Sequence, residues 1–441
     1  MIQNMKVNNK KYFVGLDIGT SKICVLIAES VKNEKLKIVG YGETESEGVA
    51  EGMIQNLIKA TAKIKEAIKI ASLQASISIE YVNVGIAGKH IKSFSTHHSI
   101  NLQDNNNNQV EITKNHVKQL ENRSKMAVIP TNHKIIHSMH QKFIIDEDHE
   151  SVEPIGEIGK KLEADFHIIS ANKVDIGIME KCILRANIKC KNLILEPIAS
   201  SLALLNDIDK EDGICLVDIG GGTTDISIFH DSIIRHTAVI PLGGDIVTQD
   251  IKEGLRLPRH HAEALKIKFG KALYVNRPVK EYVKIKGQGQ REDKKILLDN
   301  LYKIIEARME EIFEKVHQEI LNSGMSEKLS SGIVITGGGS QLMNLKQQVK
   351  YITGLDVRKG YPSSYLVKTD LVDLEYPKYS TAVGLLLWDF VNDFNSTNQK
   401  DNFQFKSSSL PKASQFGKMV TEKIKGLLKD DDLTEFKNEN N

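Results

Sequence analysis

Leu216-Val-Asp-Ile-Gly-Gly-Gly-Thr-Thr-Asp-Ile-Ser-Ile-Phe229 and Val14-Gly-Leu-Asp-Ile-Gly-Thr-Ser-Lys-Ile-Cys-Val-Leu26 are two versions of one pattern. In each, an apolar strand ends in Asp-Ile-Gly, a short turn of small and polar residues follows, and an apolar-rich strand resumes. Two to five turn residues between β-rich runs make a hairpin. An Asp, Asp17 or Asp218, stands at the same point of each turn. Self-similarity of this kind predicts a duplicated chain with two lobes. Helical periods fill the intervals. Residues 56–73 carry Leu57, Ile58, Ala60, Ile64, Ala67, Ile68 and Ala71 on one stripe. Residues 295–321 carry Leu298, Leu301, Ile305, Met309, Ile312, Phe313, Val316 and Ile320. Such stripes are core-facing surfaces, and strands interleaved with helices place the fold in the α/β class.

A turn of Gly, Thr and Ser lets backbone N–H groups approach phosphate oxygens, because no bulky Cβ substituent blocks the way. A strand-end Asp beside that turn repels phosphate, but it can hold Mg2+ or its waters, and the metal then bridges to the phosphates. Two facing turns would clamp one polyphosphate. In this reading Gly19, Thr20, Ser21 and Lys22 form one clamp and Gly220, Gly221, Gly222, Thr223 and Thr224 the other, with Asp17 and Asp218 directing the metal. Gly220 to Gly222 alone is equally the composition of an ordinary tight turn; the duplication carries the signal. A third loop, Ile333-Val-Ile-Thr-Gly-Gly-Gly-Ser-Gln-Leu342, runs from a strand through Gly337, Gly338, Gly339 and Ser340 into an expected helix from Gln341. It offers an approach for a flat base or a phosphate, or is a plain strand-to-helix turn.

Composition sets bounds. The 441 residues hold 59 Lys and Arg against 57 Asp and Glu, a net charge of +2, which argues against a general nucleic-acid binder. Cys24, Cys182, Cys190 and Cys215 form no CxxC pair or metal spacing, and they read as free thiols of a reducing compartment. The polar start of the chain lacks a signal-peptide core. No apolar run approaches the roughly 20 residues that span a bilayer, so a cytoplasmic chain with at most peripheral membrane contact is expected.

These loops, in this order, resemble the ATPase superfamily of actin, sugar kinases and heat-shock chaperones. The superfamily signatures fall on residues 17–22 and 218–225 for the phosphate loops, 336–340 for the adenosine loop, and 195–203 and 381–385 for two connecting segments. The resemblance implies two ribonuclease-H-like lobes binding ATP and Mg2+. It implies a catalytic role for Asp218 and for Glu196, the acid that orients the metal's water shell or the attacking water. Glu196-Pro197 is equally a good helix start. Glu263 and Lys266, at i, i+3 spacing, match the pair that holds the ribose in relatives, or form a surface ion pair. Gly243 and Gly244 would lie near the phosphates.

Within that superfamily, the stretches Gly48-Val-Ala-Glu-Gly-Met-Ile54, Val82-Asn-Val-Gly-Ile-Ala-Gly88, Leu255-Arg-Leu-Pro258 and Leu265-Lys-Ile-Lys-Phe-Gly270 are similar to the bacterial cell-division family FtsA. The resemblance implies a first lobe in two parts (12–93 and 171–210), interrupted by an inserted FtsA-type subdomain (94–170) with a loop at residues 105–108. It implies a second lobe, also in two parts (211–244 and 323–391), interrupted by a nucleotide-capping subdomain (245–322). It also implies a filament-forming scaffold with slow or negligible ATP hydrolysis, at the inner face of the plasma membrane at the division site. Such a scaffold recruits later division proteins and receives the C-terminal tail of the tubulin-like FtsZ on the capping subdomain. That subdomain carries Arg256, Arg259, Lys266, Lys268, Lys271, Arg277, Lys294, Lys303 and Arg308, which attract an acidic peptide or form a solvated basic face. Too little chain follows Phe390 for a chaperone's peptide-binding domain. A kinase whose turnover is the function, or a rod-shape or pilus-assembly actin homologue, is the alternative.

Residues 392–414 read as a linker, and the helical period returns over 415–429. On a wheel of about 100° per residue, Phe416, Met419, Val420, Ile424, Leu427 and Leu428 share one arc, with Lys418, Lys425 and Lys429 opposite. A basic amphipathic helix after a linker is the composition of an interfacial membrane anchor, or of a helix that docks on its own domain or on a partner. An acidic tail, 430–441, follows it and opposes binding to anionic lipid.

Overall fold

The computed structural model describes residues 11–31, 35–102, 108–274, 280–286, 293–362 and 365–398. The duplication is explicit in its two five-stranded sheets. The first runs Lys35–Glu45, Lys22–Val31, Tyr12–Ile18, Tyr81–Ile86, Lys189–Leu195. The second runs Ile233–Ile240, Thr224–His230, Ile214–Ile219, Ile333–Thr336, Val357–Lys359. In both, the first three strands are antiparallel neighbours and the last two add in parallel.

Strand alternation decides which helices cover which face. In the first lobe Ile23, Val25 and Ile27 pack with the helices Leu57–Ala75 and Lys173–Arg185, while Cys24, Leu26 and Ala28 pack with the helix Ser380–Asn398. In the second lobe Val217, Ile219, Ile226 and Ile228 face the helices Gly244–Gly254 and Leu298–Asn322. Leu216 and Phe229 face the helix Glu196–Leu204 from the other side. Both faces are covered, so these strands read as nearly continuous apolar runs.

The helices Glu196–Leu204 and Ser380–Asn398 therefore lie between the lobes and pack on each other. Their crossing requires Gly384, where a Cβ would lie 1.8 Å from the carbonyl oxygen of Ala199. The two expected connecting segments are thus brought together as one crossing point.

A four-stranded sheet in the order His149–Ser151, His133–Ile145, Lys161–Asn172, Ile91–Asn101, with the helix Lys114–Ser124, forms the inserted subdomain. It abuts the edge strand of the second lobe: Ser93 Oγ donates to Thr237 O at 2.8 Å and Gln141 Nε2 to Ile234 O at 2.7 Å.

Three boundaries differ from expectation. The long helix begins at Leu298 rather than residue 295, because Lys294–Leu297 pairs as a strand with Tyr282–Ile285. No helix starts at Gln341: Gly338–Gln341 forms a 3-10 turn, Asn344 takes a left-handed φ of 61° that breaks the run, and the helix is Leu345–Thr353. The last helix continues to Asn398, past the expected linker start at residue 392. Residues 105–107 of the expected Asn-rich loop, Arg277, the rest of the linker, the amphipathic stretch 415–429 and the acidic tail lie outside the described residues. No helix among the described residues is long and apolar enough to cross a membrane.

Candidate functional site

The two Asp-Ile-Gly turns close identically: Gly19 N–H donates to Lys22 O at 3.0 Å, and Gly220 N–H donates to Thr223 O at 2.9 Å. They also face each other. A Cβ on Gly221 would stand 3.2 Å from Ser21 Cβ, and one on Gly222 would stand 2.5 Å from Thr20 Oγ1. Thr20 Oγ1 accepts from the N–H of Gly52 at 3.2 Å, at the tip of the Val49–Ile54 hairpin. On the other side, the N–H groups of Gly244 and Asp245 donate to Gly220 O and Gly221 O at 2.9 and 2.8 Å. Gly243 and Gly244 are thereby fixed beside the second turn at the start of the helix Gly244–Gly254.

Asp17, Glu196, Asp218 and Asp225 lie within electrostatic reach of one another at this junction, with Lys22 beside Asp17. Lys22 Nζ pairs with Asp17 Oδ2 at 2.8 Å; burial works against its charge, but Asp17 raises its pKa above the lysine range. Asp218 Oδ2 accepts from Ser200 Oγ at 2.7 Å and Thr381 Oγ1 at 3.2 Å, one donor from each crossing segment. Burial raises its pKa, the Ser200 hydrogen bond opposes the rise, and Asp17 adds to it. Glu196 is raised well above the carboxylate range by burial, then by Asp17, Asp225 and Asp218, with Lys22 opposing. Asp225 is raised to about 7 by burial, against the hydrogen bond from Thr223 and with the charge of Asp218.

A bound cation would let these crowded carboxyl groups ionise together. Asp225 Oδ1 is buried and has no hydrogen-bond partner among the described residues. Yet no group of three or more His, Cys, Asp or Glu side chains among them stands close enough to hold a metal directly. The donor set therefore fits a hydrated Mg2+, which keeps several waters and takes oxygens from a phosphate ligand, rather than a cage built from protein alone.

The third glycine loop abuts the second hairpin. Gly337 has φ 82°, and a Cβ there would lie 2.3 Å from Asp218 Oδ1. A Cβ on Gly339 would meet Ile219 Cγ2 at 2.4 Å, whereas one on Gly338 would meet nothing within 4 Å. Of these glycines, Gly338 is the one open to a ligand, and Gly339 is a packing position. Ser340 Oγ donates to Gly337 O at 2.8 Å and closes the loop.

Glu263 and Lys266 form an ion pair of 2.8 Å, and Lys266 Nζ also donates to Thr248 Oγ1 at 2.7 Å and to Gly244 O at 2.8 Å. The pair is thus anchored beside Gly220, in one wall with the second turn. Thr224 is turned away, donating to Leu242 O at 2.8 Å.

Sequence reasoning passed over Ser200, Thr381, Asp225 and Thr248. The first three sit inside segments already singled out. Asp225 is the register partner of Asp218 across the hairpin, where the first hairpin has Cys24 opposite Asp17. Several basic residues of the capping subdomain have partners within it. Arg308 clasps Asp250 through Nε at 2.6 Å and Nη2 at 3.1 Å, Lys294 donates to Leu255 O at 2.6 Å, and Lys303 lies 5.2 Å from the centre of the Tyr274 ring.

Comparison with known proteins adds an independent line. A family model described as Cell division protein FtsA matches residues 215–384, and one described as an SHS2 domain inserted in FTSA matches residues 88–170. Cell division protein FtsA of Pseudomonas aeruginosa is 36% identical over 407 residues, covering 92% of this chain and 96% of that protein. Its counterpart in Neisseria meningitidis is 37% identical over 378 residues (86% and 90%), and that of Escherichia coli strain K12 is 31% identical over 389 residues (87% and 91%). Among solved structures, the PilM-PilN type IV pilus biogenesis complex matches with a TM-score of 0.62 at 15% identity, covering 86% of this chain and 98% of that one. MreB5 of Spiroplasma citri bound to ADP matches with a TM-score of 0.53 at 15% identity, covering 88% and 99%. Likeness at that identity bears on fold, and the fold is the actin-like one.

Proposed function

This chain belongs to the FtsA family of cell division proteins, and from that premise we propose that it is an ATP-binding actin homologue that polymerises and tethers FtsZ to the inner face of the plasma membrane at the division site. The observation that carries the nucleotide reading is the convergence of Asp17, Asp218 and Asp225 on Glu196, with Lys22 paired to Asp17, between two turns of matching geometry.

In this reading the backbone of Gly19 to Ser21 and Gly220 to Gly222 cradles the phosphates, and Lys22 exchanges Asp17 for a phosphate oxygen. Gly338 borders the base, and Glu263 and Lys266 hold the ribose. Asp17 and Asp218 take the waters of Mg2+, which when bound neutralises phosphate charge and relieves the repulsion among the carboxylates. Glu196, buried beside Asp17, Asp218 and Asp225, is the acid that would orient the metal's water shell or the attacking water. ATP occupancy, more than turnover, serves a scaffold.

The remaining parts follow from position. Gly244–Gly254 to Leu298–Asn322 offers the FtsZ tail a basic surface, with the exposed Lys303 in place of the engaged Arg308. The inserted subdomain is available to a neighbouring subunit and to later division proteins. Phe416, Met419, Val420, Ile424, Leu427 and Leu428 enter the membrane, and Lys418, Lys425 and Lys429 meet its anionic surface. Equilibrium ATP binding measured beside phosphate release tests the core of the proposal. Tight, saturable binding with slow release supports it. Absence of binding, or turnover stimulated by a small-molecule acceptor, overturns it.

A further inference from the structure

A cavity away from the cleft lies on the opposite rim of the first lobe, at the N-terminal ends of two parallel strands, Tyr81–Ile86 and Lys189–Leu195. It has a volume of about 530 Å³, and its apolar lining comes from Ile68, Leu73, Ile77, Ile79, Ala186 and Ile188. The helices Leu57–Ala75 and Lys173–Arg185 both end on it. Each chain then turns through a left-handed residue, Ser76 at φ 56° and Asn187 at φ 64°. Leu73, which lines the opening, is 69% exposed, and Leu184, in the last turn of Lys173–Arg185, is 64% exposed. Ser72, Ser76, Ser78 and Asn187 complete the lining, so the site offers an apolar floor with a polar border to an amphipathic occupant.

The path of the chain identifies that occupant. Asp389, on the last described helix, reaches Lys191 at 2.7 Å and Asn192 at 3.2 Å, and Phe390 packs edge-on against Phe13 at 5.6 Å. This helix therefore leaves the lobe along the same rim. Lys191 stands three residues, roughly 10 Å at the usual strand rise, from Ile188 of the cavity. Residues 399–414 then separate the helix from the amphipathic stretch 415–429. A segment of that length reaches at most roughly 55 Å, which is ample to return to the cavity.

We propose that when the protein is off the membrane the amphipathic segment 415–429 docks its apolar face (Phe416, Met419, Val420, Ile424, Leu427, Leu428) into the cavity between Leu73 and Leu184, so that the first lobe and the lipid surface compete for one helix face. The proposal rests on the amphipathic-anchor reading and adds its regulation. Intramolecular docking acts at an effective concentration on the order of millimolar, so a contact with a free dissociation constant of about 0.1 mM suffices to occlude the helix roughly tenfold. A filament subunit, whose neighbours multiply lipid contacts, overcomes that bias where a lone molecule does not.

Hydrogen exchange on the full chain without lipid tests it, comparing the wild type with the Ile424→Glu, Leu427→Glu variant. Amides of residues 72–79 and 184–188 should exchange about tenfold faster in the variant. The full chain carrying Leu73→Glu and Leu184→Glu, both surface positions, should bring up to about ten times more monomer down with anionic liposomes at sub-saturating lipid. Equal exchange in wild type and tail variant overturns the proposal. Protection that survives the tail variant but vanishes on dilution assigns the cavity to a second copy and overturns it as well. Tail-dependent protection in a chain that fails to bind liposomes upholds the docking and removes the anchor reading alone.

Discussion

Asp17 and Asp218 stand at matching points of the two hairpins yet are held by different partners. Lys22 clasps Asp17 at 2.8 Å, whereas Ser200 and Thr381 donate to Asp218 at 2.7 and 3.2 Å. The first partner belongs to the turn itself; the other two come from the segments that cross between the lobes. Asp218 therefore couples whatever occupies the cleft to the lobe crossing, while Asp17 acts through the lysine beside it.

Loss of either carboxylate should weaken ATP. Asp17→Ala and Asp218→Ala should each abolish tight Mg2+-dependent binding of a fluorescent ATP analogue. Ser200→Ala, which leaves Asp218 in place but partly unsupported, should cost about 10–100-fold, in the range seen for outer partners of metal sites. Wild-type affinity in both Asp variants removes these residues from the site.

The glycine loop allows a sharper pair. Gly338→Val projects into open space and should lower nucleotide affinity with little change in melting temperature. Gly339→Val strikes Ile219 and should cost about 1–3 kcal/mol of stability through overpacking. Thermal melts with and without ATP distinguish the two. Equal destabilisation by both would remove Gly338 from the ligand wall.

How much of this was legible in the chain varies with the physics. The hairpins, their duplication and the Asp positions were readable, because strand, turn and carboxylate are adjacent in sequence. The crossing of Ala199 with Gly384 was named as two segments, but its contact depends on packing between residues far apart in the chain. Asp225 escaped notice because one hairpin has Cys24 at the matching position, so the repeat concealed rather than marked it. The engagement of Arg308 was hidden for a related reason. A charge count cannot show that Asp250 already occupies it.

Asp225 also predicts a pH response. Its folded pKa of about 7 lies above its ordinary value of 3.8, so the folded protein binds a proton more tightly than the unfolded chain does. The resulting stability is fully present below pH 3.8 and is lost progressively as pH rises to about 7. Nucleotide-free protein should therefore lose melting temperature across that window from this group. Asp225→Asn should reduce the slope, as should ATP with Mg2+, which favours the charged form. An identical slope in Asp225→Asn would assign the effect elsewhere.

For the FtsZ tail, the exposed Lys303 and Lys295 are the informative positions. Their double reversal to Glu should slow association of an FtsZ tail peptide and weaken it by about tenfold or less, since surface charges act mainly on encounter. Arg308→Glu should instead loosen the packing of Gly244–Gly254 on Leu298–Asn322, seen as a lowered melting temperature. An unchanged dissociation constant in the lysine double variant moves the peptide site off this surface.

The anchor can be weighed from its parts. Each lysine of Lys418, Lys425 and Lys429 contributes on the order of 1 kcal/mol near an anionic surface. The six apolar side chains add a few kcal/mol if partly buried, at about 25 cal/mol per Å². Ordering the helix and repelling Asp430, Asp431 and Asp432 both subtract. The remainder gives a monomer weak, reversible binding that polymerisation multiplies through avidity. Ile424→Glu with Leu427→Glu should abolish co-sedimentation with anionic liposomes while leaving ATP binding intact. Asp430→Asn with Asp431→Asn should strengthen sedimentation, and added salt should shrink the difference because the repulsion is screened. If the Glu double variant still sediments with liposomes as the wild type does, the lipid contact lies elsewhere in the chain and the tether reading fails.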